Sequence, residues 1–229
     1  MLMKRKLLLL HGALGSSAYF KLLASILEEH YDILTLDFSG HGSKKFSQKG
    51  FSIEVFAQEV FAFLEEKAIE KIDIFGYSMG GYVAVYLAHK HPEKVAKIFT
   101  LGTKWDWNPE SSEREAQMLN PEIVIEKVPK WAQSLKELHG ENWPELMQKT
   151  AQMMLEMGQN PPLNPSQMEQ ILTPVLLTIG DKDQMVSIDE TRHISHLLPH
   201  AQCIVLKDIP HSIEQIDAAF LAESIHHFF

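Results

Sequence analysis

Between Ile72 and Gly81 the chain reads I-D-I-F-G-Y-S-M-G-G, and this stretch constrains the fold more than any other. Ile72, Ile74 and Phe75 form an apolar run rich in β-formers. After Gly81 the pattern turns helical through His91, with Val83, Leu87 and Ala88 apolar. G-x-S-x-G acquires chemical meaning only in that setting of strand, sharp turn and helix. The turn lifts the Ser78 hydroxyl clear of the backbone. Gly76 and Gly80 flank it because side chains there would meet the neighbouring strand and helix. The helix behind aims its free N–H groups and positive end at the same point. Ser78 is therefore the candidate nucleophile.

The same alternation runs through most of the chain. Apolar runs at 4–10, 31–37, 72–75, 95–101, 174–179 and 201–206 read as strands. Helical spacing follows Ser16 or Ser17 through Leu27, then covers Phe51–Glu66 and 188–198, and a last helix runs through Ile213, Ile216 and Phe220. Strand and helix in turn imply an α/β fold, about six mostly parallel strands covered by helices on both faces. The alternation breaks at Thr103. From there to Leu172 the chain is unevenly helical, with seven prolines, all four tryptophans and six methionines. An insertion of that length, emerging after a strand end, is expected to be a helical cap. The chain thus divides into a core, 1–102 and 173–229, and a cap, 103–172, within one structural unit. Methionine and tryptophan on short helices make an adaptable apolar wall. Leu14, Trp105, Trp107 and Met153 are the candidates for contact with a small-molecule substrate.

Four loops at strand ends carry polar chemistry. His11-Gly12-Ala13-Leu14-Gly15-Ser16 follows the first strand, where a backbone N–H at Ala13 can join that of Met79 in holding an oxyanion. His11 reads as a hydrogen-bonded support for this loop, and His41, in Gly40-His41-Gly42, as structural. Asp181 and Asp183 both follow the fifth strand, and either carboxylate can orient an imidazole. His211, on the loop after the last strand, is the candidate base. The chain order Ser, Asp, His suits a hydroxyl activated by an imidazole that a carboxylate holds in one tautomer.

Other classes are excluded on composition and spacing. A net charge of -9 argues against nucleic acid. Lys4-Arg5-Lys6 before four leucines resembles a leader, but the apolar run is too short and no small-residue cleavage site follows. No stretch approaches the roughly 20 apolar residues of a membrane span. With a single cysteine, Cys203, expected as a buried strand residue, the chain is read as cytoplasmic. His193, His196 and His200 lie near helical spacing, but Pro199 intervenes and no carboxylate or cysteine completes a metal site. Asp37 follows a strand, yet no G-x-G-x-x-G precedes it, so no dinucleotide cofactor is implied. The expectation is no metal, no cofactor, and a monomer or homodimer.

Taken together, His11-Gly12 and its turn, Gly40-His41-Gly42, the Gly76–Gly80 turn, Gly180–Asp183 and His211 resemble the α/β-hydrolase superfamily. The resemblance covers nearly the whole chain; the cap matches in position and helical character alone. It implies a serine hydrolase with Ser78 as nucleophile, His211 as base, and the amides of Ala13 and Met79 as oxyanion hole. It also selects Asp183 over Asp181, since the family's acid is usually the later aspartate of G-x-x-D. Dehalogenase-like members carry Asp where this chain has Ser78. Members usually place two strands before the one ending in His-Gly. Here few residues precede Leu7, so a six-stranded, all-parallel sheet is expected, with the strand from Tyr31 at an edge.

H-G-A-L-G-S and G-Y-S-M-G-G are most similar to the subfamily containing small carboxylesterases and the menaquinone-pathway lyase that makes SHCHC. That lyase binds a polyanionic substrate through arginines, one directly after S-M-G-G, where this chain has Tyr82. The cap holds only Arg114. The resemblance therefore implies cleavage of a small, mostly apolar carboxylic ester through an acyl-enzyme. The alternatives are a slow-turnover ligand-binding signalling protein of the same fold and the SHCHC-synthase-like lyase.

Overall fold

The computed structural model describes residues 4–229, so the first three residues of the expected core lie outside the described residues. Six strands form one sheet in the order β2-β1-β3-β4-β5-β6: β1 (Arg5–Leu10), β2 (Tyr31–Thr35), β3 (Ile72–Tyr77), β4 (Val95–Leu101), β5 (Val175–Gly180) and β6 (Ala201–Leu206). Every pairing is parallel, as expected. The strand from Tyr31 is an edge, and β6 is the other. Edge position corrects one expectation, since Cys203 on β6 is half-buried rather than buried.

Helices cover both faces: α1 (Lys21–Leu27), α2 (Ile53–Glu66), α3 (Met79–Lys90), five insertion helices, α9 (Ile188–Leu197) and α10 (Ala218–Phe228). Starts differ from the sequence reading where a polar side chain caps the helix. Ser52 accepts the Val55 N–H, so α2 begins at Ile53 and not Phe51. Asp217 caps α10, leaving Ile213–Gln215 as a separate 3-10 turn. One apolar layer packs α2, α3 and the insertion against the sheet; another packs α1 and α10 on the opposite face.

Between β4 and β5 the insertion folds as α4 (Pro109–Gln117), α5 (Pro121–Lys127), α6 (Pro129–His139), α7 (Trp143–Gln159) and α8 (Pro165–Met168). Each begins with proline at its first or second position, where the missing N–H has no intrahelical partner to lose. Five of the seven prolines that made this segment look uneven are helix starts; Pro161 and Pro162 lie between α7 and α8. Val124, Leu135, Trp143, Leu146 and Met147 form an apolar cluster that takes in Leu14 from the β1 loop. At about 1.5–3 kcal/mol for each large buried side chain, this cluster fastens the insertion to the sheet at the β1 loop.

Candidate active site

The strand order reverses between β1 and β3, and an open parallel sheet gathers its site at such a point, beyond the carboxyl ends of the strands. Ser78 stands there, directly after β3 and immediately before α3, with φ 50° and ψ −119°. A non-glycine residue pays about 1–3 kcal/mol for such a backbone, so its surroundings must hold it. They do so with three hydrogen bonds. The Ser78 N–H donates to the Leu101 carbonyl at 2.8 Å, and the Ser78 carbonyl accepts from the Gly81 N–H at 3.0 Å and from the Thr103 hydroxyl at 2.9 Å. The flanking glycines are required by close approach. A Cβ on Gly80 would strike the Leu10 carbonyl, and one on Gly76 would strike the backbone of Gly80 and Gly81.

His211 Nδ1 lies 2.7 Å from Asp183 Oδ2. A carboxylate can only accept, so Nδ1 carries the proton and Nε2 is left with its lone pair. The other oxygen, Asp183 Oδ1, accepts the N–H groups of Met185 and Val186 at 2.8 and 2.9 Å, and the side chain is buried. Asp181 is engaged elsewhere, accepting the Asp208 N–H at 2.6 Å. Tyr77, which the sequence reading passed over, donates its hydroxyl to the His211 carbonyl at 3.1 Å and fixes that loop from below. Its phenol is buried, and desolvation raises its pKa well above the ordinary value, which keeps it a donor.

The β1 turn closes on itself through Gly15 N–H to the Gly12 carbonyl at 3.1 Å, with Leu14 at φ 56°. His11 is fully buried and supports the loop as expected: Nδ1 lies 2.8 Å from the Gly12 carbonyl, and Nε2 accepts the Phe38 N–H at 3.1 Å. Burial lowers its pKa to about 4. His41 is buried too, stacked on Phe51, and desolvation holds its pKa well below the usual histidine range.

Two connected cavities adjoin Ser78. The inner one, about 50 Å³, is walled by Met79, Tyr82, Trp107, Met153 and Met157. The outer one, about 350 Å³, is bounded by Leu14, Tyr77, Leu119 and the half-exposed Met118 and Trp131, and so opens to solvent. Ala13, Ser78, Glu115, Met154, Met185 and His211 line both. Of the expected substrate contacts, Leu14, Trp107 and Met153 lie on these walls. Trp105 does not: it is buried beneath, its ring 5.3 Å from that of Tyr82, while its backbone N–H and that of Asp106 donate to Glu190 on α9. The reason is its place two residues after Thr103, where the chain is still tied to the core.

The likenesses to known proteins concern the fold. A family model described as the alpha/beta hydrolase fold matches residues 6–159. Lipase 3 of Moraxella sp. (strain TA144) is 26% identical over 227 residues, covering 90% of this chain and 71% of the lipase. A thermophilic esterase from Thermogutta terrifontis superposes with a TM-score of 0.79 at 18% identity, covering 99% of this chain and 89% of the esterase. MenH from S. aureus superposes with a TM-score of 0.80 at 20% identity, covering 100% and 94%. Both structural likenesses speak for the fold.

Proposed function

Because the chain belongs to the α/β-hydrolase fold family, we propose that it is a serine hydrolase that cleaves a small carboxylic ester through an acyl-enzyme. The observation that carries this reading is the strained Ser78 sharing its cavity with an imidazole already held by a buried carboxylate. Ser78 Oγ attacks the ester carbonyl while His211 Nε2 takes its proton. Asp183 keeps the tautomer and stabilises the imidazolium. The carbonyl oxygen becomes an oxyanion held by the N–H groups of Ala13 and Met79, the latter at the first turn of α3. The imidazolium returns the proton to the leaving alkoxide as the carbon–oxygen bond breaks. Water then repeats the sequence on the acyl-enzyme and releases the acid.

The insertion acts as the cap, and its side chains set acyl length. A buried water takes roughly 10–15 Å³ of such space, so the inner cavity has room for about four heavy atoms. The relation to a lipase supports an ester, but the cavity favours a short acyl chain. A polyanionic lyase substrate is disfavoured. Arg114 is 61% exposed, and the charged side chains on the inner cavity, Lys104 and Glu115, sum to zero.

Steady-state kcat/KM on p-nitrophenyl esters of rising acyl length, with one dicarboxylate analogue, tests this reading. It expects turnover that peaks at short neutral chains. Binding with negligible turnover would favour the ligand-sensing alternative, preference for the dicarboxylate would favour the lyase, and rates still rising at the longest chains would remove the cap.

A further inference from the structure

Two charged side chains interrupt the apolar lining of the inner cavity. Lys104 lies between β4 and α4, and Glu115 sits in the last turns of α4. Lys104 Nζ is 3.8 Å from Glu115 Oε1, too far for a hydrogen bond. Their side chains are 11% and 5% exposed. Among the described residues no group hydrogen-bonds to either head. The other charge beside Glu115 is Arg114, with Nε also 3.8 Å from Oε1 and most of its side chain in solvent. Lys104 in addition lies over the Trp107 ring, 5.7 Å from its centroid. A buried ion pair repays its desolvation only with good geometry and further hydrogen bonds, and this pair has neither within the protein. Yet Glu115 lines both cavities beside Ser78 and His211.

We propose that Lys104 and Glu115 together bind a hydroxyl group on the acyl chain of the substrate, which deepens the ester-hydrolase reading and rests on it. A hydroxyl oxygen set about 2.8 Å from both heads makes a nearly right-angled triangle on the 3.8 Å base, accepting from the ammonium and donating to the carboxylate. One atom thus satisfies both charges. Groups that carry a charge, or that lack either the donor or the acceptor, fail. A carboxylate meets Glu115, an ammonium meets Lys104, an ether or ketone has no proton for Glu115, and an alkyl chain leaves both heads unmatched. The remaining carbons of the acyl chain fit against Met153, Met157 and Tyr82.

The test compares kcat/KM for p-nitrophenyl butyrate, both enantiomers of p-nitrophenyl 3-hydroxybutyrate, and the 3-methoxy ethers. A charge-assisted hydrogen bond predicts about a tenfold preference for one hydroxy enantiomer over both butyrate and its ether. In the Lys104→Met/Glu115→Leu double variant that ratio falls to about one, whatever happens to the rate on butyrate. Glu115→Gln, of the same shape, reads the same ratio if the double variant does not fold, and should cut it at least threefold. A wild-type ratio below about threefold, or one that survives these substitutions, overturns the hydroxyl proposal alone. Failure to turn over any of the esters overturns the ester reading and this inference with it.

Discussion

Nε2 of His139, at the end of α6 in the helical insertion, donates to the carbonyl of Leu14 in the β1 turn at 2.9 Å, across 125 residues of sequence. Its Nδ1 accepts the Gly42 N–H at 2.8 Å. Leu14 can only accept there and Gly42 only donate, so the ring is neutral with both nitrogens used. One imidazole thus ties the insertion to the turn that carries Ala13 and to the Gly40–Gly42 loop. His139→Ala leaves a buried carbonyl and a largely buried N–H without partners. The expected loss is about 2 kcal/mol or more of unfolding free energy, read by urea denaturation. A loss under about 0.5 kcal/mol would show that the tie carries no stability.

Three buried imidazoles, His11, His41 and His139, cluster around these loops, with His41 and His139 ring centroids 6.0 Å apart. Burial lowers the pKa of all three, that of His11 to about 4. In the unfolded chain each binds a proton near pH 6.5, while the folded protein resists it, so stability falls as pH drops. Each such histidine contributes up to about 1.4 kcal/mol per pH unit below roughly 6.5. The urea midpoint should therefore decline steadily from pH 7 to pH 5. A midpoint that is flat or rises over that interval would contradict the neutral cluster.

Asp183 and Asp181 stand two residues apart with separate partners, His211 and the Asp208 N–H. Asp183→Asn presents the wrong partner to His211 Nδ1 and should lower kcat on a short ester about 10⁴-fold, as measured in the best-studied triad. Asp181→Asn should cost less than tenfold. Equal losses, or the reverse order, would reassign the acid.

Much of this was legible in the sequence, because a strand buried on both faces writes itself as a continuous apolar run. Leu7–Leu10 is such a run, and the ends of β1, β3, β5 and β6 then locate Ala13, Ser78, Asp183 and His211. The helical insertion was legible as a break in that alternation, and five of its seven prolines mark helix starts. What the sequence did not show depends on tertiary packing. Trp105 and Trp107 are alike in type and two residues apart, but only Trp107 reaches the cavity, since Glu190 holds the backbone beside Trp105. The sequence marks neither Lys104 nor Glu115, because nothing local reveals that α4 turns Glu115 inward. Tyr77 lies inside the motif itself, but its hydrogen bond to the His211 loop spans 134 residues and leaves no local signal.

The central claim is that Ser78 forms a covalent acyl intermediate, and intact-mass spectrometry of the protein quenched during turnover of p-nitrophenyl butyrate reads that species directly. The wild-type chain should carry one added butyryl group, located to the peptide containing Ser78. Ser78→Ala should carry none, and its kcat should fall by about 10⁵–10⁶. A Ser78→Ala variant that retains kcat within tenfold of wild type, or an acyl group found on another residue, would contradict it.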